Sequence, residues 1–184
     1  MTQAQPKYDR NSFILVVDDD NTLLKFFKIH LNKFFSKVIV VKNAKEAIES
    51  LREKTIDLVI TDINMPRMDG FQLLKRVRKH DNAIPVLLIS GALLNENEET
   101  LVLDADGYLR KPFSVDQLHD FIDQGLAKRE KLKELAELLS DKKHLRNLVC
   151  GKVRLEKVVK KAEIDKAQSI LDEIITESGS SDVA

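Results

Sequence analysis

Residues 58–70, LVITDINMPRMDG, decide how the rest of this 184-residue chain is organised. An apolar, β-branched run ends at Asp62, and a turn that contains Pro66 and Gly70 follows it. This pattern predicts a buried strand with a carboxylate at its end. In an open parallel sheet, ligands bind at the carboxyl ends of the strands, because loops and helix N-termini meet there. Asp62 is therefore the first candidate for a reacting group.

Three other buried-strand patterns also end in polar residues. FILVVDDD at 13–20 ends in acids, IPVLLISG at 84–91 reaches Ser90, and GYLRKPF at 107–113 brings Lys111. A further strand is predicted for VIVV at 38–41, and helical patterns separate the strands. Alternating strands and helices with right-handed crossovers predict an α/β fold. Its core would be a flavodoxin-like, doubly wound, five-stranded parallel sheet with strand order 2-1-3-4-5.

These strand ends would gather acids, a hydroxyl and a lysine at one edge of the sheet. Clustered carboxylates repel one another unless a hard cation joins them, and Mg2+ prefers carboxylate, water and phosphate oxygens. A carboxylate can also attack phosphorus to form an acyl phosphate, which a metal ion, an ammonium and a hydroxyl would stabilise. The set predicts that Asp62 is phosphorylated and that Mg2+ is the cofactor.

In order and in spacing, residues 12 to about 124 resemble the receiver domain of two-component response regulators. The resemblance implies that Asp62 is the phosphoacceptor and that Asp18 and Asp19 position Mg2+ together with it. It also implies that Asn64 supplies a backbone carbonyl to the metal.

The same resemblance assigns roles to residues of the two following strands. Ser90 and Lys111 would complete the catalytic site, and Ser90 and Tyr108 would act as a conformational switch. Lys111-Pro112 falls where the family has a cis peptide. Asp104 stands where the family usually ends its fourth helix with Gly, and aspartate tolerates the left-handed cap expected there.

Asp20 adds a third acid, and its expected role is the N-cap of the helix NTLLKFFKIHL. The strongest alternative uses the same residues, because Asp18, Asp20 and Thr22 fit the DxDxT signature of haloacid-dehalogenase-like phosphatases. In that class Asp18 would be the nucleophile and Asp62 would have no role. A protein-binding module without phosphotransfer is the other alternative.

The predicted domain organisation has a flexible N-terminus at 1–11 and a receiver domain at 12–125. A helical extension, either a hairpin or coiled-coil-like, follows at 126–177, and a disordered tail occupies 178–184. Helix five is expected after Ser114 and its apolar stripe continues past Gly125. From residue 126 onward there are 13 Lys plus Arg and 11 Asp plus Glu. This small excess of basic charge argues against DNA binding.

The overall composition fits a cytoplasmic protein. The formal net charge is zero, and we find no signal-peptide pattern or apolar run long enough to span a membrane. A single cysteine, Cys150, forms no internal disulfide and has no metal-ligand spacing. His30, His80 and His119 are expected on separate helices, with no metal site.

These expectations describe a response regulator that is not an enzyme beyond catalysing its own phosphorylation and dephosphorylation. A histidine kinase or a phosphotransfer protein would be the donor. The signal would leave through the face formed by helix four, strand five and helix five and through the extension at 126–177. That region would contact a downstream protein or form a homodimer.

Overall fold

The structure is a computed structural model that describes residues 11–140 and Ser169. Three predicted segments lie outside the described residues. They are the flexible N-terminus up to residue 10, the helical extension after residue 140 except for Ser169, and the tail at 178–184. The chain divides into two compact units, Met1–Arg129 and Glu130–Ala184. None of the described helices has both the length and the apolar character that a membrane span requires.

Strands and helices alternate along the first unit, as the sequence predicts. In chain order the elements are β1 Phe13–Val17, α1 Asn21–Leu31, β2 Lys37–Val41, α2 Ala44–Glu53, β3 Leu58–Asp62, α3 Gly70–His80, β4 Val86–Ser90, α4 Glu96–Val102, β5 Gly107–Arg110 and α5 Val115–Ser140. The five strands form one sheet in the order β2-β1-β3-β4-β5, and all neighbouring strands are parallel. The predicted flavodoxin-like fold and strand order are confirmed.

The register of the sheet places the polar strand ends next to one another. Val17 pairs with Thr61, Asp62 pairs with Ile89, and Ser90 pairs with Arg110. Because all strands run in one direction, the residues that follow them reach the same carboxyl edge. This edge carries the candidate site.

Apolar side chains cover both faces of the sheet, as expected for a parallel sheet flanked by helices. On one face the strands pack against α2 and α3, around Leu15, Val59, Leu73 and Leu88. On the other face they pack against α1 and α5. The predicted inward residues of α5, Leu118, Phe121 and Ile122, are buried there.

Short polar side chains set the N-termini of the helices, because they accept hydrogen bonds from the first free backbone N–H groups. Asp20 caps α1 through the N–H groups of Thr22 and Leu23, as predicted. Ser114 does the same for α5, since its Oγ accepts from the Gln117 N–H at 3.1 Å. The helix then continues through Gly125 to Ser140.

Helix α4 differs from the others, since it has seven residues and none of them is buried. Its C-cap, Leu103, has a right-handed conformation with φ −63°. Among the described residues other than glycine, only Arg67 has a positive φ. The expected left-handed cap at Asp104 is therefore wrong, because a right-handed final turn already ends the helix one residue earlier.

Candidate functional site

Asp62 ends β3 and lies almost completely buried at the carboxyl edge, with 6% of its surface exposed. Its Oδ1 accepts a hydrogen bond from Lys111 Nζ at 2.5 Å, and its Oδ2 accepts from the Asn64 backbone N–H at 2.6 Å. Both carboxylate oxygens are thus held in place by hydrogen-bond donors.

Asp18 follows β1 and is also buried. Its Oδ1 accepts from the Asp20 backbone N–H at 2.8 Å, and its Oδ2 accepts from Lys111 Nζ at 2.9 Å. One ammonium group therefore bridges two buried carboxylates. Burial lowers the pKa of Lys111, but the hydrogen bonds and charges of Asp62 and Asp18 outweigh it and raise the pKa above its ordinary 10.5.

Ser90 is the last residue of β4 and is completely buried. Its hydroxyl oxygen accepts from the Ala92 N–H at 3.1 Å and from Asn64 Nδ2 at 3.2 Å. Asn64 therefore contacts two candidate site residues, through its backbone N–H to Asp62 and through its side chain to Ser90. Four predicted residues, from three strand ends and one loop, form a single connected group with Lys111.

Residues 14–123 of this chain match the family described as the response regulator receiver domain. The chain belongs to this family. One relative is the transcriptional regulatory protein ZraR of Klebsiella oxytoca, which is 36% identical over 115 residues. The match covers 62% of this chain and 26% of ZraR. The chain thus spans about a quarter of that relative's length, and the common part is the receiver domain.

Solved receiver structures share the fold. A CheY-like receiver domain protein from Methanospirillum hungatei superimposes with a TM-score of 0.62 and 27% identity, over 66% of this chain and 98% of that one. The response regulator TrrA of Thermotoga maritima, in complex with Mg2+ and BeF, gives a TM-score of 0.56 and 27% identity. That comparison covers 61% of this chain and 97% of TrrA.

The chemistry of this receiver domain's acidic residues suits a hard cation. Asp18 and Asp62 share one ammonium, and Asp19 beside them is exposed, so the edge retains net negative charge. Carboxylate and carbonyl oxygens are the ligands that Mg2+ prefers. Within the described part of the chain, no three Asp, Glu, His or Cys side chains are already gathered as a metal site. Binding would therefore require Asp19 to join the other two acids.

The loop after Asp62 contains a strained turn. The Met68 N–H donates to the Pro66 carbonyl at 2.9 Å, and Arg67 between them has φ 72°. This is the hydrogen-bond pattern of a γ-turn, which is rare and strained at positive φ. The turn returns the chain to the end of β3, where the Gly70 N–H donates at 2.9 Å to the carbonyl of Ile63, the residue after the strand.

Gly70 is required by this close approach. A Cβ at this position would lie 2.4 Å from the Asp62 carbonyl oxygen and 2.9 Å from Ile63 Cα. Both neighbours are backbone atoms that also belong to β3 or its end, so they cannot move independently of the site. In the sequence Gly70 predicts the end of a turn, whereas in the structure it is the first residue of α3.

The other predicted site residues are placed as follows. Tyr108 lies half-buried on β5 against the apolar cluster that α2 and α3 cover. The predicted cis peptide between Lys111 and Pro112 is present. The side-chain contact of Asn64 with Ser90 is a feature that sequence reasoning missed. Its only sequence signal is an amide two residues after the reacting aspartate.

Proposed function

We propose that this receiver domain accepts a phosphoryl group on Asp62 and thereby acts as a phosphorylation-controlled signalling module. The observation that carries the proposal is the bridge of Lys111 between Asp62 and Asp18, with contacts of 2.5 and 2.9 Å. A lysine in this position can neutralise charge on a phosphoryl oxygen as the group arrives. The donor is a histidine kinase or a phosphotransfer protein.

In the proposed reaction, a carboxylate oxygen of Asp62 attacks the phosphorus of a phosphohistidine. A new O–P bond forms, the N–P bond breaks, and the electron pair returns to the histidine nitrogen. Asp18, Asp19, Asp62 and the Asn64 carbonyl would hold Mg2+. When bound, the metal ion supplies positive charge to the phosphoryl oxygens. Lys111 moves from the two carboxylates toward the phosphoryl group.

Ser90 is proposed to donate its hydroxyl hydrogen to a phosphoryl oxygen. To do so it leaves its present contacts with Asn64 and Ala92. Tyr108, half-buried on β5, moves with it and changes the surface of α4, β5 and α5. The signal then passes to a downstream protein or to a second copy of the chain. We also propose that residues 126–177 contribute to this contact.

The phosphatase alternative with Asp18 as nucleophile has less support. It needs Asp20 as a second acid, whereas the Asp20 side chain caps α1 and is exposed. It also leaves the contacts of Asp62 with Lys111 and Asn64 without a role. The proposal therefore assigns no enzyme activity to this chain beyond its own phosphorylation and dephosphorylation.

The proposal is tested by incubating the full chain with Mg2+ and radiolabelled acetyl phosphate or phosphoramidate. We expect one hydroxylamine-sensitive acyl phosphate, absent from Asp62→Asn and from samples with excess chelator. Asp104→Asn, which changes an exposed aspartate away from the site, serves as the matched control and keeps full labelling.

Three results distinguish the phosphoacceptor proposal from its two alternatives. Label that persists in Asp62→Asn and disappears in Asp18→Asn would establish the phosphatase alternative. Absence of label in the wild-type chain, with unchanged spectra on addition of Mg2+ and beryllofluoride, would establish a binding module without phosphotransfer. Label confined to Asp62 supports the proposal.

A further inference from the structure

The side chain of Asn64 joins the loop after β3 to the end of β4. Its Nδ2 donates to Ser90 Oγ at 3.2 Å, across 26 residues of sequence. The backbone N–H of the same residue donates to Asp62 Oδ2 at 2.6 Å. Asn64 is exposed, whereas Asp62 and Ser90 are buried. One exposed residue therefore contacts both the proposed phosphoacceptor and the hydroxyl that is proposed to bind the phosphoryl group.

The observed contacts use all the hydrogen-bonding capacity of the Ser90 hydroxyl. A hydroxyl has one hydrogen to donate and two lone pairs that accept. The Ser90 oxygen accepts from Asn64 Nδ2 and from the Ala92 N–H at 3.1 Å, and the hydroxyl donates to the Ala92 carbonyl at 3.4 Å. Ser90 must therefore leave this position before it can donate to a phosphoryl oxygen.

The contacts of Ser90 differ in the parts of the chain that they link. Ala92 lies two residues after Ser90, so its contacts are local to the loop after β4. The contact with Asn64 reaches a different loop. Among the residues that the structure describes, no other side chain hydrogen-bonds to the Ser90 hydroxyl. The Asn64 amide is thus the group that fixes this hydroxyl relative to the loop beside Asp62.

The strength of this contact determines how much it opposes the movement of Ser90. The net contribution of one neutral hydrogen bond changes the ratio of two conformations by about twofold to tenfold. A ligand that requires the rarer conformation binds more weakly by the same factor, because only the competent fraction of the protein accepts it. Removal of the Asn64 amide should therefore strengthen binding of any ligand that needs Ser90 to move.

We propose that Asn64 is a positioning residue that holds Ser90 away from the phosphoryl group and so opposes the switch. This inference rests on the proposed phosphorylation of Asp62. Phosphorylation changes the size and charge of the group that faces the Asn64 backbone N–H. The same residue therefore couples the reaction at Asp62 to the release of Ser90.

The test uses the full chain in Mg2+ and measures the affinity for beryllofluoride by titration calorimetry. The variants are Asn64→Ala, Ser90→Ala and the double variant. Alanine at residue 64 removes the amide and keeps the backbone N–H and carbonyl, so the contact with Asp62 remains. Asn82→Ala is the matched control, since Asn82 is an exposed asparagine in the turn between α3 and β4.

We expect Asn64→Ala to bind beryllofluoride about fivefold more tightly than the wild type, because one opposing hydrogen bond is lost. Asn82→Ala should bind as the wild type does. In the Ser90→Ala background, the change at residue 64 should have no further effect, since the two residues act through one contact. A merely structural role of Asn64 would not depend on the Ser90 hydroxyl.

A second measurement observes the contact without any ligand. By nuclear magnetic resonance, the side-chain amide hydrogens of Asn64 should exchange with water more slowly than those of Asn82. This protection should disappear in Ser90→Ala, because the acceptor is removed. Equal exchange in the wild type and Ser90→Ala would overturn the proposal.

The calorimetry distinguishes failure of this inference from failure of the proposed function. If the wild type binds beryllofluoride and Asn64→Ala binds it equally or more weakly, the inference alone is overturned. An equal gain from Asn64→Ala with and without the Ser90 hydroxyl would overturn it as well. If the wild type neither binds beryllofluoride nor is labelled by acetyl phosphate, the proposed function fails and the inference fails with it.

Discussion

The two edges of the sheet both bury carboxylates, but they balance the charge in different ways. At the carboxyl edge, one lysine serves two buried acids, Asp18 and Asp62. At the amino edge, before β5, a single acid, Asp106, serves two cations. Its oxygens contact Arg78 at 2.5 Å and Lys128 at 2.8 Å, and it also accepts from the Val86 N–H at 2.7 Å.

The difference separates a structural charge cluster from the one that we propose to be reactive. Asp106 is fully satisfied and joins α3, β4 and α5, so its contacts belong to the stability of the fold. The acids of the carboxyl edge are short of positive charge, and a metal ion or a cationic ligand would supply it. Both clusters contain buried ion pairs. The number of cations for each acid, rather than burial, is what distinguishes the two clusters.

The largest effect on stability is expected at the amino edge. Asp106→Ala should lower the free energy of unfolding by about 3 kcal/mol, because it leaves two cations and a buried N–H without their acceptor. Urea denaturation followed by circular dichroism measures this. Asp104→Ala, an exposed neighbour, should change stability by no more than about 0.5 kcal/mol. Equal effects of the two variants would refute the structural role of Asp106.

A smaller effect is expected where α3 meets the end of β3. Gly70→Ala should cost about 2 kcal/mol, since its Cβ would collide with backbone atoms that cannot relax alone. It should also slow labelling from acetyl phosphate, because the collision displaces Asp62. Gly91→Ala is the control at the same edge, where a Cβ meets only Lys111 side-chain atoms at 3.8 Å. Normal labelling of Gly70→Ala would contradict this prediction.

The sign of the effect should reverse at Asp62, the proposed phosphoacceptor. Asp62→Asn should raise the free energy of unfolding by about 1 kcal/mol in chelator, because it removes repulsion between two acids that share one partly exposed lysine. Asp106→Asn, the same chemical change at the amino edge, should lower it. Both are measured by urea denaturation. Destabilisation of similar size in both variants would show that the two edges do not differ.

The smallest effect is expected in the strained turn. Arg67→Gly should stabilise the fold by about 0.5 kcal/mol, since relief of the positive φ slightly exceeds the entropy that glycine loses on folding. Arg67→Ala keeps the strain and removes the charged group, so its stability should match the wild type. A gain in Arg67→Ala equal to that in Arg67→Gly would assign the effect to charge instead.

Much of the fold could be predicted from local pattern alone. Parallel strands buried on both faces leave long apolar runs, and caps such as Asp20 stand directly before helical periodicity. The carboxyl-edge residues Asp62, Ser90 and Lys111 were predicted for the same reason, since each ends a strand or directly follows one. Their positions at one edge follow from the parallel direction of the sheet.

Features that depend on contacts between distant elements could not be predicted in this way. The Asn64 side chain meets Ser90 across 26 residues, and His30 meets His119 across 89. Asp106 gains its partners from α3 and α5, and no periodicity marks it. The expected left-handed cap at Asp104 was wrong because residue preference permits a conformation without requiring it.

Helix α4 has a practical consequence for spectroscopy. Its seven residues contribute no buried side chain, and Leu103 at its end is 80% exposed. After Cys150 is replaced by serine, a cysteine introduced at residue 103 could therefore carry a fluorescent or spin label without disturbing either apolar cluster. Such a label would report local unfolding of this helix. The free energy of that local unfolding should lie far below that of global unfolding.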